Sequence, residues 1–82
     1  MNLVYFTSAS CAPCKKFLPI VQEVAAEHDI PLEVVSIDDL DGGSRAASLG
    51  VQSVPRVYVY EDSNIVNVLG VTSKKSLSAL LS

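Results

Sequence analysis

A chain of 82 residues supports one domain over residues 1–82 and leaves no room for a second hydrophobic core. With 49% hydrophobic and 18% charged residues it reads as globular, not disordered. The formal net charge of −3 argues against a general nucleic-acid binder, and no apolar run approaches the ~20 residues of a membrane span. Met1 to Phe6 carries neither a basic n-region nor an apolar run long enough for a secretory signal, so the chain reads as cytoplasmic.

Leu3-Val4-Tyr5-Phe6 is a short apolar run suited to a buried central strand. The polar loop Thr7-Ser8-Ala9-Ser10 follows, and then a helix from about Cys11 to about His28. Its apolar positions Phe17, Leu18, Val21, Val24 and Ala25 recur at three- and four-residue spacing. Pro19 interrupts that helix and predicts a kink, because proline cannot bond back to the preceding turn. Leu32 to Ile37 is a second buried strand. Asp38 to Gly43 reads as a turn and capping region, with Gly42-Gly43 a loop, and Ser44 to Leu49 as a short helix closed by a left-handed Gly50. Val57 to Tyr60 and Ile65 to Leu69 are β-rich runs around a hairpin loop, Glu61 to Asn64. Thr72 or Ser73 caps a last helix bearing Leu77, Leu80 and Leu81.

The order is β-α-β-α-β-β-α. The first two strands, joined by a long helix, are expected to run parallel and the last two to form an antiparallel hairpin. One mixed four-stranded sheet flanked by helices, an α/β fold, accommodates both.

The sharpest feature is Cys11-Ala12-Pro13-Cys14, placed between a strand and a helix. In a reducing compartment two cysteines this close are a poor structural staple, and closing so small a loop constrains the unfolded chain little. Redox chemistry or metal binding remain. A metal site lacks ligands, since His28 is the only histidine and there is no second cysteine pair. A cysteine at a helix N-terminus feels unpaired backbone N–H groups and the positive end of the helix dipole. Both favour the nucleophilic thiolate, and in such motifs the thiol falls from ~8.5 into the range ~3.5–7.5. Cys11, at the junction, is expected to be exposed and to attack a disulfide. Cys14, inside the first turn, is expected to be more buried and to resolve the mixed disulfide. Pro13 suits the first turn, where its missing N–H is unpaired anyway. Lys15 and Lys16 add positive charge nearby.

The stretch Tyr5 to Lys16 resembles the active-site strand, loop and helix of the thioredoxin family. Gly50-Val51-Gln52-Ser53-Val54-Pro55 is similar to that family's approach to a cis-proline. The resemblance covers the chain in element order, without the N-terminal strand and helix of full-length thioredoxins, and implies a minimal thioredoxin fold. It further implies a cis Val54–Pro55 bond facing the dithiol, Val54 backbone groups free to pair with an extended substrate, and Gly70 beside the substrate groove. Substrate binding is thus expected at Ala12, Pro13, Val54, Pro55, Arg56 and Gly70. Arg56 is read either as a solvated strand residue or as a cation steadying the Cys11 thiolate or a substrate carboxylate.

The resemblance implies a monomeric protein-disulfide reductase with no cofactor beyond a redox-active Cys11–Cys14 disulfide. Its substrates would be protein disulfides, ribonucleotide reductase among them, and its electron donor a thioredoxin reductase or glutathione. Ser10 stands where thioredoxins carry Trp, Arg56 where they commonly carry Thr, and Tyr5 where they carry a buried Asp that accepts the proton of the resolving thiol. Asp38 and Asp39 would replace that base only if the strand end curled back. A glutaredoxin-like enzyme acting on glutathione mixed disulfides is the alternative, although Gly70-Val71-Thr72-Ser73 lacks the Gly-Gly and capping acid that glutaredoxins use to hold glutathione.

Overall fold

The computed structural model describes residues 1–51, 53–70 and 73–81. The elements are β1 (Asn2–Thr7), α1 (Ala12–Glu27), β2 (Leu32–Ser36), α2 (Leu40–Leu49), β3 (Arg56–Glu61), β4 (Asn64–Leu69) and α3 (Lys74–Leu81). They build one four-stranded sheet in the order β2-β1-β3-β4, with β1 and β2 parallel and the other neighbours antiparallel.

β1 lies between β2 and β3, and its unbroken apolar run reflects burial on both faces. Leu3 and Tyr5 pack beneath α1 and α3 with Phe17, Val21, Val24, Val57, Val59 and Leu77. Val4 and Phe6 point the other way, into a smaller cluster with Val35, Ala46 and Tyr58 beneath α2. Alternation along the strand, two residues to each face, produces both layers. α1 runs unbroken past Pro19, which stands on its exposed side. Its C-cap, His28, meets the Ser78 hydroxyl at 2.8 Å and so ties α1 to α3. Lys74 reinforces that contact at the surface with ion pairs to Glu23 and Glu27.

The start of α2 and the length of the hairpin loop differ from the sequence reading. α2 begins at Leu40, so Gly42 and Gly43 are helical and not a loop. Glycine inside a helix costs ~1 kcal/mol relative to alanine, which is why local propensity stops the helix short. Packing overrides it here: a Cβ on Gly42 would overlap the Ser36 carbonyl oxygen, and one on Gly43 would stand 3.0 Å from the Ile37 carbonyl. The helix starts against the end of β2, where only glycine fits. The hairpin is also tighter, because β3 and β4 extend through Glu61 and Asn64. Only Asp62 and Ser63 remain in the turn, both at positive φ (51° and 69°), the backbone that matches the twist of the strands. Of the three leucines that the last helix carries, Leu80 is 52% exposed, while Leu77 and Leu81 are buried.

Gly50 closes α2 in the left-handed conformation, φ 73°. Ser73 caps α3 by accepting a hydrogen bond from the Ser76 N–H at 3.1 Å. Thr72, the alternative cap, lies outside the described residues, as do Gln52 and Val71.

Candidate active site

Cys11 is the N-cap of α1, with extended backbone (φ −95°, ψ 104°), and its sulfur accepts a hydrogen bond from the Cys14 N–H at 3.2 Å. One of the unpaired donors that every helix start exposes therefore points at this sulfur. No acidic residue lies in the first turn to compete for the positive end of the dipole. Cys11 and Cys14 form a disulfide, their Cα atoms 5.3 Å apart. The two ends are unequal: Cys11 is half-buried, whereas Cys14 is 0% exposed. Ala12 and Pro13 lie exposed between them, and Lys15 and Lys16 are exposed on the following turn.

Facing the pair is the bend before β3. The Val54–Pro55 peptide is cis, and the Val54 carbonyl oxygen lies 3.7 Å from Cys11 Sγ. The disulfide sulfur has no proton, so this is a packing contact when the pair is oxidised; a reduced thiol there has an acceptor within reach. Val54 is half-buried and Pro55 buried. The structure thus brings Cys11 and Val54 together, and Pro55 is the last residue before β3 begins at Arg56. Arg56 and Gly70 meet at the neighbouring ends of β3 and β4, where Arg56 Nη1 is 2.5 Å from the point a Gly70 Cβ would occupy.

Two further contributions lie beyond the sequence reading. After β2 ends, the chain turns so that the Asp38 carboxylate accepts hydrogen bonds from the Ser8 hydroxyl (3.0 and 3.2 Å) and the Ala9 N–H (2.8 Å). Ser8 is a buried polar residue, and its hydroxyl oxygen lies 3.1 Å from that of Ser10, while its carbonyl accepts from the Cys11 N–H at 3.1 Å. Asp38, considered from the sequence only as a proton acceptor for Cys14, instead braces the loop that delivers Cys11.

The second contribution comes from Tyr5. Its phenol donates to the Cys14 carbonyl at 2.8 Å inside the core, and its ring packs on Phe17 with centroids 6.1 Å apart. Burial pushes this phenol up to about 12, so it stays protonated and holds backbone without serving as a base. A buried tyrosine needs a partner for its hydroxyl, and that requirement is the signal the sequence offers.

Among the described residues no three of His, Cys, Asp or Glu gather into a cluster able to hold a metal ion. No helix is long and apolar enough to cross a membrane, among the same residues.

A family model described as Thioredoxin matches residues 1–82. Thioredoxins from Staphylococcus saprophyticus and Staphylococcus aureus are each 32% identical to the chain, aligned over 99% of it and 79% of their own length. Among solved structures, thioredoxin 1 of Thermosipho africanus superposes with a TM-score of 0.81 at 27% identity, covering 99% of this chain and 86% of that one. A single-site mutant of thioredoxin from Halobacterium salinarum reaches a TM-score of 0.87 at 23% identity, covering 98% and 70% respectively, a likeness of fold.

Proposed function

The chain belongs to the thioredoxin family and is a thiol–disulfide oxidoreductase, and we propose that it works as a dithiol reductant of protein disulfides, Cys11 attacking and Cys14 resolving. The observation that carries these roles is the asymmetry of the pair, one cysteine half-buried on a helix N-cap and the other fully buried one turn on.

In the reduced protein the Cys11 thiolate attacks one sulfur of a substrate disulfide. A mixed disulfide forms, and the first substrate sulfur leaves as a thiolate that takes up a proton. Cys14, having lost its proton, then attacks Cys11 Sγ and expels the second substrate thiolate. Two electrons and two protons pass to the substrate, and the Cys11–Cys14 bond is left behind. The helix N-terminus favours both forms that Cys11 must take, thiolate nucleophile and thiolate leaving group.

The Val54 carbonyl beside Cys11 supports pairing of substrate backbone along this bend, with Ala12, Pro13, Pro55, Arg56 and Gly70 forming the rest of the binding surface. The pair needs no other cofactor in this scheme, and its electrons return from a thioredoxin-reductase-type flavoprotein or from glutathione. Residues 1–82 act as one domain, as a cytoplasmic monomer, and ribonucleotide reductase is a candidate substrate on family grounds. The named relatives are thioredoxins, so the glutaredoxin-like alternative is not favoured.

Turbidimetric reduction of insulin by dithiothreitol is the test. The protein should accelerate it, and Cys11→Ser should abolish the acceleration. Wild-type activity in Cys11→Ser would end the assignment.

A further inference from the structure

We propose that Arg56 makes the groove selective for disulfides flanked by an acidic residue, a specificity built on the oxidoreductase activity assigned above. Three observations converge on this guanidinium. Arg56 opens β3 two residues after Val54, whose carbonyl touches Cys11 Sγ, so the cation lies on the strand that leads directly away from the reacting sulfur. It is half-buried, yet among the described residues its side chain has no hydrogen-bond or ion-pair partner. Arg45 pairs with Glu33 and Lys74 with Glu23 and Glu27, and the unpaired Lys15, Lys16 and Lys75 are exposed, so Arg56 is the half-buried cation without an ion pair among the described residues.

Gly70 supplies the third observation. The register Val57↔Leu69 places Gly70 opposite Arg56 where the two strands end. Gly50 is the only glycine with positive φ among the described residues, so Gly70 is not required by its backbone conformation. What its missing side chain provides is space, and the Arg56 Nη1 occupies that space, 2.5 Å from the Cβ position. The guanidinium is thereby seated across the ends of two strands, not left trailing in water.

A planar cation held this way offers two parallel N–H donors to a carboxylate. Partial burial makes such a pair stronger than one in open solvent. The net charge of −3 does not attract acidic partners from a distance, so the preference arises on contact. With a rise of ~3.3 Å per residue, an extended substrate lying along the Val54–Arg56 segment would reach the guanidinium within about two residues of its reacting cysteine.

The test uses the reduced protein and quenched fluorescent peptide disulfides with Glu, Gln or Lys one or two positions from the cysteine, read as second-order single-turnover rates. The wild type should favour the best-placed Glu peptide over its Gln counterpart by roughly 5- to 10-fold, with Lys slowest. That ratio should fall to about 1 in Arg56→Gln and to an intermediate value in Arg56→Lys. Gly70→Ala, which displaces the guanidinium without removing its charge, should lower it as well. Equal wild-type rates on Glu and Gln peptides, or a ratio that survives Arg56→Gln, would overturn the proposal. Glutathione disulfide provides carboxylates without a polypeptide around them; if it outpaced the Glu peptide and lost more in Arg56→Gln, the assignment to polypeptide substrates would be wrong. Failure of the wild type to reduce any peptide would remove the oxidoreductase reading itself, an outcome distinct from failed selectivity.

Discussion

The two faces of the sheet are built differently. Beneath α1 and α3 lies a large cluster in which Leu3, Tyr5, Val21, Val24, Val57 and Leu77 are fully buried, and this face bears Cys14. Beneath α2 lies a smaller cluster whose members Val35, Ala46 and Tyr58 keep some exposure, and whose helix is seated by a glycine contact to β2 instead of by large side chains. The difference teaches that apolar burial is concentrated under the helix that carries the chemistry. The opposite face, by contrast, depends on a close backbone approach.

Phe17→Ala should do the most damage, about 3–5 kcal/mol by urea unfolding, because it opens a cavity under the redox helix. Val21→Ala should likewise cost more than Val35→Ala, the same deletion on the other face; equal costs would break the comparison. Gly42→Ala comes next, about 1–3 kcal/mol, since its Cβ meets the Ser36 backbone oxygen and not a side chain that can swing away. A neutral result there would mean that α2 shifts freely on the sheet.

Asp38→Ala should cost roughly 1–2 kcal/mol by leaving the Ser8 hydroxyl and Ala9 N–H without their acceptor. It should also slow insulin reduction several-fold, as the loop delivering Cys11 loses its brace. Wild-type rates with reduced stability would confine Asp38 to a folding role.

Tyr5→Phe is the mildest change, about 1 kcal/mol at neutral pH for the lost hydrogen bond. It has a pH signature. Burial raises the phenol from 10.0 to about 12, so the folded chain keeps a proton that the unfolded chain releases. Stability contributed by that proton is complete below about pH 10 and is lost as pH rises towards about 12. Urea midpoints across this window should decline less steeply in Tyr5→Phe; identical slopes would show that the phenol is not buried in solution.

The element order and the dithiol are legible in the sequence because both are local signals. The apolar run Leu3 to Phe6, the helical spacing of Phe17, Val21 and Val24, and the position of Cys11 at a strand–helix junction all lie within short windows. Gly42 and Gly43 mislead because helix propensity is local, whereas the reason for glycine there is the Ser36 carbonyl across a tertiary contact. The Asp62–Ser63 turn lacks the usual Asn-Gly signature, so its tightness is hidden. Asp38 acts on Ser8 and Ala9, 30 and 29 residues away, and no periodicity reveals which loop a carboxylate reaches. Leu80 satisfies the helical spacing, but a helix lying on one edge of the core buries only part of its apolar face.

Tyr5 holds the first turn of α1 by a main-chain oxygen and not by either sulfur. That grip does not depend on whether the two sulfurs are joined. Opening the sulfur–sulfur bond therefore takes no partner away from the phenol, and the first turn of α1 has a tether that the redox chemistry itself does not consume.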